Sequence, residues 1–127
     1  MKISTLIIDD EPLARAMIKR LLKPRSEFDI IGESGTGRGA IALIENHRPD
    51  LIFLDIQMKD MTGFDVLEAL SVPFPVVIFA TAFDEYSLKA FDYFAFDYLL
   101  KPFRIADLLD RISQCLTKSA PHSLNYC

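Results

Sequence analysis

The amino-acid sequence predicts an α/β domain built on a parallel sheet wound on both faces. Three observations predict it: short, wholly apolar runs recur along the chain, each stops at a polar or charged residue, and segments of helical period separate them. Strands that read as unbroken apolar runs are covered on both faces, and strict alternation of strand and helix demands parallel pairing through right-handed crossovers. A chain of 127 residues can bury one such core but not two.

The first strand is Leu6-Ile7-Ile8, which stops at Asp9-Asp10-Glu11. Pro12 suits a first helical turn, and Ala14, Met17, Ile18, Leu21 and Leu22 follow the helical repeat until Pro24. Residues 28–31 form a short second strand. After Gly35, Gly37 and Gly39, expected to make a flexible helix entry, Ala40, Leu43, Ile44 and His47 give a second helical face that ends at Pro49. The third strand, residues 51–54, stops at Asp55. Gly63 then leads into a short helix through Phe64, Leu67 and Leu70, closed by Pro73 and Pro75. The fourth strand, residues 76–80, ends at Thr81. Asp84 caps a fourth helix through Leu88 and Phe91, residues 96–100 form the fifth strand, and Ile105, Leu108, Leu109, Ile112 and Leu116 trace the fifth helix. The domain is expected over residues 1–118, with 119–127 as a tail or the start of a linker.

Composition narrows the function. Fourteen Lys and Arg against eighteen Asp and Glu give a net charge of −4, so the positive surplus needed to bind nucleic acid unaided is missing. Apolar runs fall far short of the roughly 20 residues of a membrane span, and no secretory signal opens the sequence. The expectation is a cytoplasmic protein that binds neither nucleic acid directly nor a membrane. Cys115 and Cys127 lack CxxC spacing and read as reduced thiols, and His47 and His122 lack partners at zinc-ligand spacing.

In a doubly wound sheet the functional crevice lies beyond the carboxyl ends of the strands. There the sequence places Asp9 and Asp10 after strand one, Asp55 after strand three, Thr81 after strand four, and Lys101-Pro102 after strand five. Carboxylates gathered at a low-dielectric rim repel one another unless one is protonated or a cation binds. Oxygen-only ligands favour Mg²⁺. An Asp beside Mg²⁺ can attack phosphorus to form an acyl phosphate, with Lys and Thr taking the phosphoryl oxygens.

These residues resemble the receiver domain of bacterial two-component response regulators. The resemblance runs from Leu6 to about Leu116. It rests on Ile8-Asp9-Asp10-Glu11-Pro12, on Asp50-Leu51-Ile52-Phe53-Leu54-Asp55-Ile56-Gln57-Met58 with Gly63 following, on Phe79-Ala80-Thr81-Ala82, and on Tyr98-Leu99-Leu100-Lys101-Pro102-Phe103. It implies a flavodoxin-like fold, strand order 2-1-3-4-5 with five helices. It further implies that Asp55 is the phosphoacceptor, Asp10 a direct Mg²⁺ ligand, Asp9 a ligand through water, and Gln57 a ligand through its backbone carbonyl. Thr81, Ala82 and Lys101 would receive the phosphoryl group, Tyr98 would turn inward as Thr81 moves, and Lys101-Pro102 would be a cis bond.

The stretch 81–91 with Asp97-Tyr98-Leu99-Leu100-Lys101-Pro102-Phe103 is most similar to receivers of LytTR-type DNA-binding regulators. The resemblance implies a signalling phosphoacceptor that catalyses only its own phosphorylation and dephosphorylation. Its donor would be a sensor histidine kinase, and its output transcription regulation through a DNA-binding domain absent from the sequence, or dimerisation of a surface rich in aromatics (Phe91, Tyr93, Phe94, Phe96, Tyr98). A stand-alone receiver acting by protein–protein contact is the alternative. Lys59 stands where most receivers have Pro, which predicts a looser loop after Asp55.

Two rivals share the topology. A phosphatase of the haloacid-dehalogenase type needs an acid two residues after its nucleophile, where this chain has Gln57. A flavodoxin-like FMN protein needs a Ser/Thr/Gly phosphate loop after strand one, where Asp9-Asp10-Glu11 would repel phosphate. Gly35-x-Gly37-x-Gly39 lacks the spacing of a dinucleotide fingerprint.

Overall fold

The structure is a computed structural model and describes residues 2–82, 85, 86, 89, 90, 92, 93, 95 and 97–100. Its elements are β1 (Ile3–Ile8), α1 (Pro12–Leu22), β2 (Phe28–Ser34), α2 (Gly37–His47), β3 (Leu51–Leu54), α3 (Gly63–Glu68), β4 (Val76–Thr81) and β5 (Asp97–Leu100). All strand pairs are parallel, in the order β2-β1-β3-β4-β5. This is the expected flavodoxin-like parallel α/β sheet. Helices expected around Asp84, Leu88 and Phe91 and from Ile105 to Leu116, together with Lys101, Pro102, Cys115 and Cys127, lie outside the described residues.

Side chains alternate across each strand and sort the core into two layers. Ile3, Ile7, Leu51, Phe53 and Ile78 face α1, packing on Ile18 and Leu22. Leu6, Ile8, Ile52, Leu54, Val77 and Phe79 face the other way, onto Ala40 and Ile44 of α2 and Phe64, Val66 and Leu67 of α3. The sheet is thus covered on both sides, which is why its strands read as continuous apolar runs.

Several boundaries differ from the sequence expectation, each for a local reason. β1 begins three residues early because its polar start is satisfied: Ser4 N–H and Oγ both donate to Asp50 Oδ2, and Thr5 Oγ1 donates to Ile3 O. β2 runs on to Ser34, with a register shift opposite Thr5 and Leu6. Met17 is 41% exposed and sits at the margin of the α1 face, and His47 is exposed on α2.

Gly37 and Gly39 belong to α2 itself rather than to a flexible entry, and no glycine has positive φ. Their role is close approach. A Cβ on Gly37 would collide with Met61, and one on Gly39 would stand 2.5 Å from Ser34 Oγ. Thr36 caps the helix by accepting from Gly39 N–H at 3.1 Å.

Candidate functional site

β1, β3 and β4 point the same way, so their carboxyl ends meet at one rim. The register pairs Ile8 with Leu54 and Leu54 with Phe79, which sets Asp9 and Asp55 side by side, one residue beyond their strands. Asp55 N–H donates to Ile8 O at 2.9 Å and Asp9 N–H to Ser34 O at 3.0 Å. Asp9 is 1% exposed, Asp55 5% and Thr81 0%. Carboxylates this buried sit in a medium that disfavours isolated charge.

The oxygens brought together belong to Asp9, Glu11 and Asp55, all within 4.8 Å of one another. Unit charges at that spacing repel by about 3–4 kcal/mol per pair at the effective dielectric of roughly 20 that suits a protein rim. Two hydrogen bonds orient the set: Glu11 N–H donates to Asp9 Oδ1 at 2.9 Å, and Ile56 N–H to Asp55 Oδ1 at 2.8 Å. Of the expected Asp9, Asp10 and Asp55, this group contains Asp9 and Asp55, and Glu11 is its third member. Asp10 is half-buried and lies between Asp9 and Glu11 at a bend in the chain. A donor set made only of carboxylate oxygens fits a hard divalent cation such as Mg²⁺.

Thr81 closes β4 beside this group, and its register partner is Leu100, the residue before Lys101. Ala82 is exposed in the bend after β4. Tyr98 pairs with Phe79 on the neighbouring strand, their rings 6.3 Å apart, and it is partly buried.

The loop after Asp55, which carries Lys59, is tied at several points. Gln57 bridges Thr62, Gly63 N–H donates to Ile56 O at 2.8 Å, and Thr62 with Asp65 forms a capping box on α3. A Cβ on Gly63 would stand 2.5 Å from the Asp55 carbonyl oxygen, so only glycine lets the helix start this near the site. Asp60 reaches across to α2, accepting from Gly37 N–H at 2.9 Å and Arg38 N–H at 3.0 Å. Those two bonds hold its carboxyl below the usual range.

Sequence reasoning missed one contact over the crevice. Gln57 Nε2 donates to Tyr86 Oη at 2.6 Å, and the Tyr86 ring lies 6.1 Å from Phe64. Phe64 also packs on Phe79 and Tyr93 at 5.1 and 5.0 Å, with Lys89 Nζ 4.6 Å from its centroid. Tyr93 in turn donates to Glu68 Oε2 at 2.8 Å, a bond that raises its phenol's pKa. An aromatic chain thus joins the loop after Asp55 to β4 and β5. Only the density of aromatics between residues 91 and 98 signalled it in the sequence.

The response regulator receiver domain family matches residues 5–113. Transcriptional regulatory protein BtsR of Salmonella typhi is 44% identical over 116 residues, 88% of this chain and 48% of that protein. Sensory transduction protein LytT of Bacillus cereus is 43% identical over 119 residues, 91% of this chain and 46% of that protein. These relatives agree with the LytTR-type likeness, and the chain spans about half of their length. The receiver domain of AraT, a response regulator from Geobacillus stearothermophilus, superposes with a TM-score of 0.83 at 28% identity, covering 93% of this chain and 98% of that one.

Proposed function

The chain belongs to the response regulator receiver domain family, and from that membership we propose that it is a Mg²⁺-dependent phosphoacceptor whose reacting group is Asp55. The observation that carries the reading is the carboxylate group of Asp9, Glu11 and Asp55 at the shared rim of β1 and β3. Asp10, Asp55 and the Gln57 backbone carbonyl would hold the ion directly and Asp9 through water, with Glu11 in the same carboxylate group. When bound, Mg²⁺ supplies positive charge that offsets the carboxylates and the incoming phosphoryl oxygens.

The chain's own groups do the rest. Ile56 N–H fixes the rotation of the Asp55 carboxylate, so that an oxygen meets the phosphorus of a phosphohistidine in line. The new O–P bond forms as the N–P bond breaks, and its electron pair returns to the imidazole of the donor kinase. Thr81 Oγ1, at the end of β4, and the ammonium of Lys101, one residue past Leu100, receive the phosphoryl oxygens. Movement of Thr81 toward them makes room for Tyr98, already packed on Phe79, to turn further inward. The added charge of about −1.5 to −2 is enough to bias a two-state surface.

The finer features belong to the same reading. The domain spans residues 1–118 with five strands and five helices, Lys101-Pro102 is cis, and residues 119–127 start a linker. The partners are a sensor histidine kinase and, when phosphorylated, a second copy or an output domain that regulates transcription. The protein works in the cytoplasm, and catalysis extends only to its own phosphorylation and dephosphorylation. Among the described residues no helix is long and apolar enough to cross a membrane.

The test is labelling by acetyl phosphate in Mg²⁺, wild type against Asp55→Asn. Loss of label in the variant, and in wild type with EDTA, is the expected result. Undiminished label in Asp55→Asn would place the reacting group elsewhere.

A further inference from the structure

Arg15 lies on α1 outside the carboxylate group, yet its guanidinium anchors that group's frame. Nη1 donates to the backbone carbonyl of Asp9, and Nε donates to Glu33 Oε1 at 2.9 Å. Glu33 also accepts from Lys19 Nζ at 2.6 Å. The Lys19 bond first, then Arg15, holds the Glu33 carboxyl below the usual range, so it stays ionised as an anchor. The Arg15 side chain is only 19% exposed. Gly35 keeps the space: a Cβ there would stand 3.0 Å from Nη1. Two donors aimed at two fixed acceptors from one plane are a geometry that lysine's single ammonium does not reproduce.

Asp9 is consequently gripped at three atoms. Its N–H donates to Ser34 O, its carbonyl accepts from Arg15, and its Oδ1 accepts from Glu11 N–H. These bonds together set the turn between β1 and α1 and the direction of the carboxylate.

We propose that Arg15 is a positioning residue for the metal centre: it fixes the Asp9 turn so that the carboxylate faces Glu11 and Asp55, and so raises the affinity for a divalent cation. This role rests on the proposed Mg²⁺ site. Electrostatics alone argues the opposite sign. A cation near a cation site repels the ion, so deleting only its charge would tighten binding. Positioning predicts weaker binding.

The experiment titrates Mg²⁺ alone, by calorimetry, into the full chain as wild type, Arg15→Gln, Arg15→Lys and Asp9→Asn, with melting in EDTA measured alongside. Arg15→Gln is expected to weaken Mg²⁺ binding about tenfold, within the range typical of groups that orient metal ligands, while its EDTA melting point stays at the wild-type value. Arg15→Lys, which keeps the charge and loses the fork, is expected to weaken it similarly. Unchanged or tighter binding in Arg15→Gln, with Asp9→Asn weakened, overturns the positioning role and leaves the metal reading standing. Wild type that binds no Mg²⁺, or Asp9→Asn that binds as tightly as wild type, overturns both. If Arg15→Gln loses cooperative melting, Glu33→Gln carries the test by removing the second anchor: weaker binding supports the role and unchanged binding overturns it.

Discussion

Asp60 sits in the loop after Asp55 and caps a helix that is not its own. Its two oxygens accept from Gly37 N–H and Arg38 N–H at the start of α2, where backbone donors and the helix dipole both favour negative charge. The folded carboxyl is therefore held below its unfolded value. Its contribution is complete above the ordinary aspartate range near about 4 and is lost as pH falls through the lower folded value. Melting followed from pH 5 to pH 3 is expected to fall less steeply in Asp60→Asn than in wild type, and equal slopes would show that this cap does not stabilise the fold. Asp9, Asp55 and Thr81 were legible in the sequence because each breaks an apolar run at its carboxyl end. The Asp60 cap and the Gln57–Tyr86 bond were not. Each depends on segments more than twenty residues apart meeting, which leaves no periodic trace.

Among the elements, α1 presents two faces with different fates. Ile18 and Leu22 are buried against the sheet, while Leu13 is 84% and Met17 41% exposed, four residues apart on one side. This apolar pair begins two residues after Glu11, beside the candidate site, where the proposed phosphohistidine donor would approach. Leu13→Asp is expected to slow transfer from the kinase about tenfold, roughly 1.4 kcal/mol, while labelling by acetyl phosphate is unchanged. Equal loss with both donors would mean that the substitution damages the site itself. On α3, Phe64 is 2% exposed and touches Phe79, Tyr86, Tyr93 and Lys89. Phe64→Ala is expected to cost about 3–5 kcal/mol in urea unfolding, and a loss under about 1 kcal/mol would show a core that collapses freely around it. Elements with strong periodicity, α1 and β3 above all, could be read directly. The extension of β1 to Ile3 could not, because Ser4 and Thr5 look like loop residues until Asp50 is seen to satisfy Ser4.

Across the whole molecule, the parallel sheet gathers its carboxylates at one rim and is also tied at the other. Asp50, part of the same sequence motif as Asp55, ties β3 to β1 at the amino ends through Ser4, while Asp55 faces the carboxylate group at the opposite ends. A chain of net charge −4 concentrates buried negative charge at that rim, and a divalent cation with a phosphoryl donor is the chemistry that such a rim suits. The most direct measurement locates the phosphoryl group itself: wild-type protein is incubated with acetyl phosphate and Mg²⁺, digested, and mapped by mass spectrometry. The account predicts one phosphoryl group, on Asp55, absent when EDTA replaces Mg²⁺. Modification at any other residue, or at Asp55 without a divalent cation, would contradict it.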